Sequence, residues 1–173
     1  MDNESDELIL VDSFDRPIGG GLKLPVHREG RLHRAFSVFI VDDGKMLVQR
    51  RNPAKYHSGN LWANACCSHP RAGEETREAA MRRLREETGI VCELEELYSF
   101  VYRTVFDDGI SEYEYDHVFL GTYRGPVDPD PEEIAELAWV LFDDLAASLV
   151  HEPDRFASWF LIAAPEVLRR VAG

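Results

Sequence analysis

The segment Glu112-Tyr113-Glu114-Tyr115-Asp116-His117 alternates acidic and aromatic side chains. In an extended strand, Glu112, Glu114 and Asp116 fall on one face and the tyrosines on the other. Carboxylates stacked in this way repel one another unless the face is wet or a cation sits on it. A solvated sheet face and a metal site both remain open for the strand alone. The metal site needs partners from elsewhere, and the chain holds six histidines, at 27, 33, 57, 69, 117 and 151. His33, at the mouth of a hydrophobic run, and His69, beside a cysteine pair in a Pro-containing loop, stand out. Imidazoles combined with carboxylates suit a divalent transition ion such as Mn²⁺ or Zn²⁺. Cys66-Cys67 next to His69 fits small apolar packing or a catalytic thiol beside cationic groups. A zinc–thiolate site would want a second cysteine pair, which Cys92 alone does not supply.

The elements that must position these residues follow from pattern and turn chemistry. Leu8–Val11 predicts a short strand, Asp15-Arg-Pro a turn, and Gly19-Gly-Gly21 a break. Arg34–Val41 predicts a buried strand, and Asp43-Gly44 turns it into a return strand over Lys45–Arg51. A polar loop over Asn52–Asn60, a strand over Leu61–Cys67 and a loop over Ser68–Gly73 follow. Thr76–Thr88 predicts a helix, with Thr76 as N-cap, Gly89 at C′, and Ala80, Met81, Leu84 and Thr88 as its packing stripe. Leu97–Phe106 and Ser111–Tyr123 predict long strands joined at Asp107-Asp108-Gly109. After a loop over Pro126–Pro131 come a strand over Leu137–Phe142 and a helix capped by Asp143 and running through Leu149. A helical tail over Asp154–Val171 is punctuated by Pro165. Strands around a central helix, with helices at the end, imply an α+β or α/β sandwich class.

The 173 residues suit one domain over 1–173, with residues 1–6 as a disordered tail. At 45% hydrophobic the chain can bury a real core. A net charge of −13, from 19 Lys+Arg against 32 Asp+Glu, argues against nonspecific binding to nucleic acid or anionic membrane. The longest apolar runs, around Phe36–Val41 and Trp159–Ala164, fall far short of the roughly 20 residues that a membrane-spanning helix needs. An acidic N-terminus and three cysteines without a disulfide framework predict a cytoplasmic protein with reduced thiols and no evident protein partner.

The helix carries the most specific signal. Gly73-Glu74 followed by Arg82-Arg-Leu-Arg-Glu-Glu-Thr-Gly-Ile90 resembles the Nudix box, whose carboxylates hold Mg²⁺ against a diphosphate. Two positions depart from it. Ser68 stands where the box begins with Gly, and Arg83 stands where it carries Glu. Exchanging a carboxylate for a cation weakens the case for a Nudix hydrolase of nucleoside diphosphate derivatives, the alternative function.

These departures are those of type I isopentenyl diphosphate isomerases, which the chain resembles over nearly its whole length. The resemblance rests on His33-Arg-Ala-Phe-Ser-Val-Phe39, Gln49-Arg-Arg51, Lys55, Asn64-Ala-Cys-Cys-Ser-His-Pro70, the degenerate box and Glu112-Tyr-Glu-Tyr-Asp116. It implies a Nudix-like α/β/α sandwich with a mixed sheet and C-terminal helices, and interconversion of isopentenyl and dimethylallyl diphosphate. It further implies Cys67 as catalytic thiol, Glu114 as the opposing acid/base and metal ligand, and Tyr102 as support for that carboxylate. His27, His33, His69, Glu112 and Glu114 would form a site for one divalent ion, Mn²⁺, Zn²⁺ or Mg²⁺. Glu87 would bind Mg²⁺ together with the diphosphate. Lys23, Arg51, Lys55 and Arg83 would contact the diphosphate, and the Trp159 ring would face the hydrocarbon. Because a free thiol titrates near 8.5, nearby positive charge is expected to keep Cys67 as thiolate in one half-reaction.

Overall fold

The computed structural model describes residues 6–55 and 57–172. The tail expected over residues 1–6 therefore lies outside the described residues except for Asp6. Among the described residues, nine strands form one mixed sheet: β1 (Glu7–Val11), β2 (Pro17–Leu22), β3 (His33–Asp42), β4 (Lys45–Arg51), β5 (Trp62–Asn64), β6 (Cys66–Ser68), β7 (Glu95–Val105), β8 (Ser111–Thr122) and β9 (Ile134–Leu141). The helices are α1 (Lys23–Glu29), α2 (Thr76–Thr88), α3 (Phe142–His151) and α4 (Ser158–Val171).

Strand β3 organises the sheet. Along one edge it runs parallel to β8, from His33↔Glu114 to Val41↔Thr122. Along the other it meets β1 at His33, β6 over Phe36–Val38 and β4 over Ile40–Asp42, all antiparallel. Strands β7 and β9 extend the two wings by pairing with β8 and β4.

The side-chain alternation of β3 separates two cores. Phe36, Val38 and Ile40 face Ala79, Ala80 and Leu84 of α2, together with Ile90. Phe39 faces the other way, where Phe160 stacks on it at 5.9 Å between centroids and Trp159, Ala163, Ala164 and Val167 continue the apolar stripe of α4. Helices thus cover both faces of the sheet. Burying each large side chain of that stripe contributes roughly 1.5–3 kcal/mol.

Several boundaries differ from expectation. Gly19–Gly21 lies inside β2 rather than breaking the chain, paired with Leu10, Ile9 and Leu8. A Cβ on Gly20 would fall 2.3 Å from Glu7 Oε1, so a side chain there would displace Glu7. Helix α1, unforeseen, follows at once and ends at Gly30 with φ 63°. The single strand expected over Leu61–Cys67 divides at Ala65, because β5 pairs with β4 whereas β6 crosses to β3. Glu75 rather than Thr76 occupies the N-cap of α2, while Gly89 adopts the left-handed conformation foreseen for it, φ 72°. Asp143 sits in the first turn of α3, where it complements the helix dipole instead of capping it. The C-terminal helix begins at Ser158 and continues through Pro165, preceded by a 3₁₀ turn over Pro153–Arg155.

Candidate active site

On the α4 face of the sheet, three imidazoles converge. His27 comes from α1, His33 from the first position of β3, and His69 from the residue after β6. Their ring centroids lie 4.8 Å (27–33), 5.6 Å (27–69) and 5.0 Å (33–69) apart. The parallel register places Glu114 opposite His33. One donor atom from each of the four groups lies within 4.8 Å of the others. Ligands at ~2.1 Å from a common tetrahedral ion are ~3.4 Å apart, so small inward movements close the set on a metal.

The hydrogen bonds around the rings suit that purpose. His27 Nδ1 bonds the Lys23 carbonyl at 2.7 Å and His33 Nδ1 the Arg31 carbonyl at 2.8 Å. A carbonyl only accepts, so Nδ1 carries the hydrogen in both rings and a neutral imidazole presents its Nε2 lone pair inward, as metal-binding histidines do. Among the described residues, His33 Nε2, 3.5 Å from Glu114 Oε1, and His69 Nδ1 are buried without a hydrogen-bond partner. His69 Nε2 bonds Glu114 Oε1 at 2.9 Å. Burial, reinforced by the neighbouring imidazoles, pushes His27 down to about 3, and burial also lowers His69, so both rings are neutral. This donor set of three nitrogens and one carboxylate fits a divalent ion.

Glu112 and Asp116 share the buried face with Glu114, which excludes the solvated alternative. Tyr102, opposite Glu114 on β7, donates its hydroxyl to Glu114 Oε2 at 2.7 Å and also contacts Glu112 Oε2 at 3.1 Å. Glu112 stands outside the four-residue group, its Oε1 3.1 Å from His57 Nε2. Burial and the adjacent Glu114 charge push Glu112 well above the usual carboxylate range. Burial alone would raise Glu114 as well, but the hydrogen bond from His69 Nε2 outweighs it and holds this carboxyl well below that range.

A cleft of about 600 Å³, counting its open mouth, is lined by residues of this cluster and by cations paired with carboxylates. Cys67 lines it, half-buried, with Arg51 Nη1 3.6 Å from its sulfur. Burial pushes the Cys67 thiol up to about 12; Arg51 opposes this, and the Glu87, Glu112 and Glu114 carboxylates add to it. One guanidinium does not offset burial and the nearby carboxylates, so the thiolate expected in one half-reaction would need further positive charge in the cleft. Arg51 also stacks over the Trp159 ring, 5.1 Å from its centroid. Arg83, buried on α2, bonds Glu87 at 2.5 Å and reaches Glu133 at 3.4 Å, and Glu133 also holds Lys55.

Lys23, Arg51, Lys55, Cys67, His69, Arg83, Glu87, Tyr102, Glu112, Glu114 and Trp159 all line this cleft, and His27 and His33 join it through the histidine cluster. Sequence spacing missed Glu133 and His57, which also line it. Neither residue belongs to a periodic element. His57 lies in the polar loop after β4, stacked on Phe106 at 5.0 Å, and Glu133 precedes β9.

A buried metal-type cluster, a thiol and paired cations around one cleft beside helix α2 define the chemical class of the site. The NUDIX domain model matches residues 31–160, so this is a Nudix-domain protein. Its fold resembles that of the Deinococcus radiodurans protein DR0079, with a TM-score of 0.76 at 22% identity over 95% of this chain and 98% of that one. Within the class, the chain is 44% identical over 164 residues to isopentenyl-diphosphate Delta-isomerase 2 of Aromatoleum aromaticum, covering 94% of this chain and 87% of the relative. It is 48% identical over 155 residues to isopentenyl-diphosphate Delta-isomerase 1 of the same organism, covering 89% and 88%. The chain belongs to the isopentenyl-diphosphate Delta-isomerase family.

Proposed function

We propose that this protein interconverts isopentenyl and dimethylallyl diphosphate by adding a proton at one end of the allylic unit and removing one from the other. The observation that carries this reading is the meeting of Cys67 and Glu114 in one cleft that Lys55, Arg83 and Glu87 also line. An unactivated alkene is a poor base, and its protonation generates tertiary carbocation character. Catalysis therefore needs an acid and a base placed within reach of two different carbons in a site that excludes water.

Cys67 and Glu114 fill these roles: the thiol holds a proton it can give, and the carboxylate has a lone pair that can take one. Approach from opposite sides of the substrate would make the transfer antarafacial. Tyr102 steadies Glu114 through its hydroxyl. The Trp159 π face offsets positive charge on the hydrocarbon, worth roughly 2 kcal/mol or more when desolvated. Arg51 and Arg83 suit bidentate phosphate contacts, Lys23 and Lys55 point-charge contacts.

His27, His33, His69 and Glu114 would hold one divalent ion, Mn²⁺, Zn²⁺ or Mg²⁺, with Glu112 as a fifth ligand once it turns from His57. Glu87 would hold Mg²⁺ with the diphosphate. Bound there, such ions supply positive charge that screens the diphosphate and sharpens the acidity of a neighbouring carboxyl group. Among the described residues no helix is long and apolar enough to cross a membrane, in keeping with action in the cytoplasm.

Incubation with isopentenyl diphosphate and Mg²⁺ in D₂O, followed by NMR, tests the reading. Deuterated dimethylallyl diphosphate is the expected product. Phosphate release from a nucleotide panel without isomerisation would return the protein to the Nudix hydrolases.

A further inference from the structure

Asn64 ends β5 and is fully buried. Its side-chain amide is used on every side. Nδ2 donates to the Val38 carbonyl at 3.2 Å and to the Cys66 carbonyl at 2.6 Å, while Oδ1 accepts the Trp159 indole N–H at 3.0 Å. Two carbonyls on one side and an N–H on the other leave only one orientation of the amide, because the flipped form would oppose donor to donor and acceptor to acceptor.

This geometry ties together parts that belong to different layers. The Cys66 carbonyl belongs to the residue next to Cys67, and Trp159 sits in the first turn of α4. Arg51 closes the circuit, touching the Cys67 sulfur and the Trp159 ring. The entry to α4 is fixed nearby, where Ala157 N–H bonds the Trp62 carbonyl at 2.9 Å. The entry to the helix is thus held by a bond other than Asn64's, and what Asn64 adds to α4 is the setting of the indole plane.

We propose that Asn64 is a positioning residue for the isomerisation: it locks the Trp159 ring against the substrate hydrocarbon in fixed register with Cys67. The inference rests on the isomerase reading. A ring free to rotate about its side-chain bonds presents its face for only a fraction of the time, which lowers transition-state stabilisation more than ground-state binding. Two of the proposed diphosphate contacts, Lys55 and Arg83, are held by Glu133 and Glu87 rather than through Asn64, so substrate affinity is little changed.

The test is a double-mutant cycle of Asn64→Ala and Trp159→Phe on the full chain, read as kcat and KM for isopentenyl diphosphate. Phenylalanine keeps an aromatic face but has no N–H for Asn64 to hold. The expected result is a roughly tenfold fall in kcat for Asn64→Ala with KM within about twofold, shrinking to less than twofold in the Trp159→Phe background. An equal loss of kcat in both backgrounds overturns the proposal, since Asn64 would then act only through the strand carbonyls. A loss confined to KM overturns it too. If Asn64→Ala does not fold, Asn64→Ser runs the same cycle; its hydroxyl can serve the Cys66 carbonyl but falls short of the indole. Absence of turnover in the unsubstituted protein would be failure of the isomerase reading instead, and is seen before any variant is made.

Discussion

Acid should destabilise this protein partly through His57, and the size of the effect can be worked out. The ring is packed between Phe106 and the edge of Trp159, with Nε2 on Glu112. Burial, with help from the Arg51 charge, pushes its pKa down from 6.5 to about 2. The unfolded chain takes up the proton as pH falls through 6.5, whereas the folded chain refuses it until about 2. Stability from the neutral ring is therefore complete above the unfolded value and drains away below it. At pH 5 the unfolded state is favoured by about 1.5 pH units of protonation, which is ~2 kcal/mol. This figure needs only a folded pKa below 5. Glu112 and Asp116, both pushed upward by burial and the Glu114 charge, respond with the opposite sign. The informative quantity is accordingly the difference between two proteins rather than one slope. Urea denaturation in EDTA at pH 7.5 and pH 5.0 would compare the unsubstituted chain with His57→Gln. Removing the titrating ring should shrink the pH-dependent loss by ~2 kcal/mol, which is ~1 M in the urea midpoint at a typical slope. Identical losses in both proteins would refute the buried, neutral assignment of His57.

Cys67→Ala should lower the rate of deuterium incorporation by at least about 10²-fold, the smaller end of what a positioned acid or base contributes, while leaving metal content unchanged by elemental analysis. His33→Ala should weaken binding of Mn²⁺ or Zn²⁺ by at least about 10–100-fold in calorimetric titration, since losing even an outer partner of a ligand has that effect. Gly89→Ala forces a Cβ into a left-handed residue, 3.2 Å from the Asp128 side chain. It should cost about 1–2 kcal/mol and lower the melting temperature by roughly 2–8 °C in a calorimetric scan.

The parts of the fold legible in the sequence are those where a local rule and the tertiary structure agree. Asp43-Gly44 and Asp107-Asp108-Gly109 each join antiparallel neighbours, and Gly89 closes α2 where the helical pattern stops. Helix α1 was hidden because seven residues, with a proline at the third, are too short to show a period. The division at Ala65 was hidden because it depends on a competition between β4 and β3 for one apolar segment. The alternation in Glu112–His117 was visible, but not which face is buried. That is decided by the parallel pairing of β8 with β3, which sets Glu114 against His33 from a distant part of the chain. Glu133 and His57 reach the cleft from irregular segments, where position is set by contacts rather than by spacing.

Charge arithmetic explains why an acidic protein can take an acidic substrate, and why the box helix departs from the hydrolase pattern. Four cations, Lys23, Arg51, Lys55 and Arg83, line the cleft against four carboxylates, Glu87, Glu112, Glu114 and Glu133. Arg83 and Glu87 are almost fully buried, and buried charges of one sign alone would be too costly, so guanidinium and carboxylate arrive already paired. A cleft near neutrality does not attract roughly three negative charges of a diphosphate into a chain at −13. Divalent ions at Glu87 and at the histidine cluster would tip that balance, and Arg83 and Lys55 can then exchange carboxylate partners for phosphate oxygens of similar geometry. The Glu-to-Arg change at position 83 shifts the local charge by two units on the helix face that a hydrolase uses to hold metal against the phosphorus. In the proposed reading the helix grips the diphosphate as a handle, while Cys67 on β6 and Glu114 on β8 serve the hydrocarbon instead.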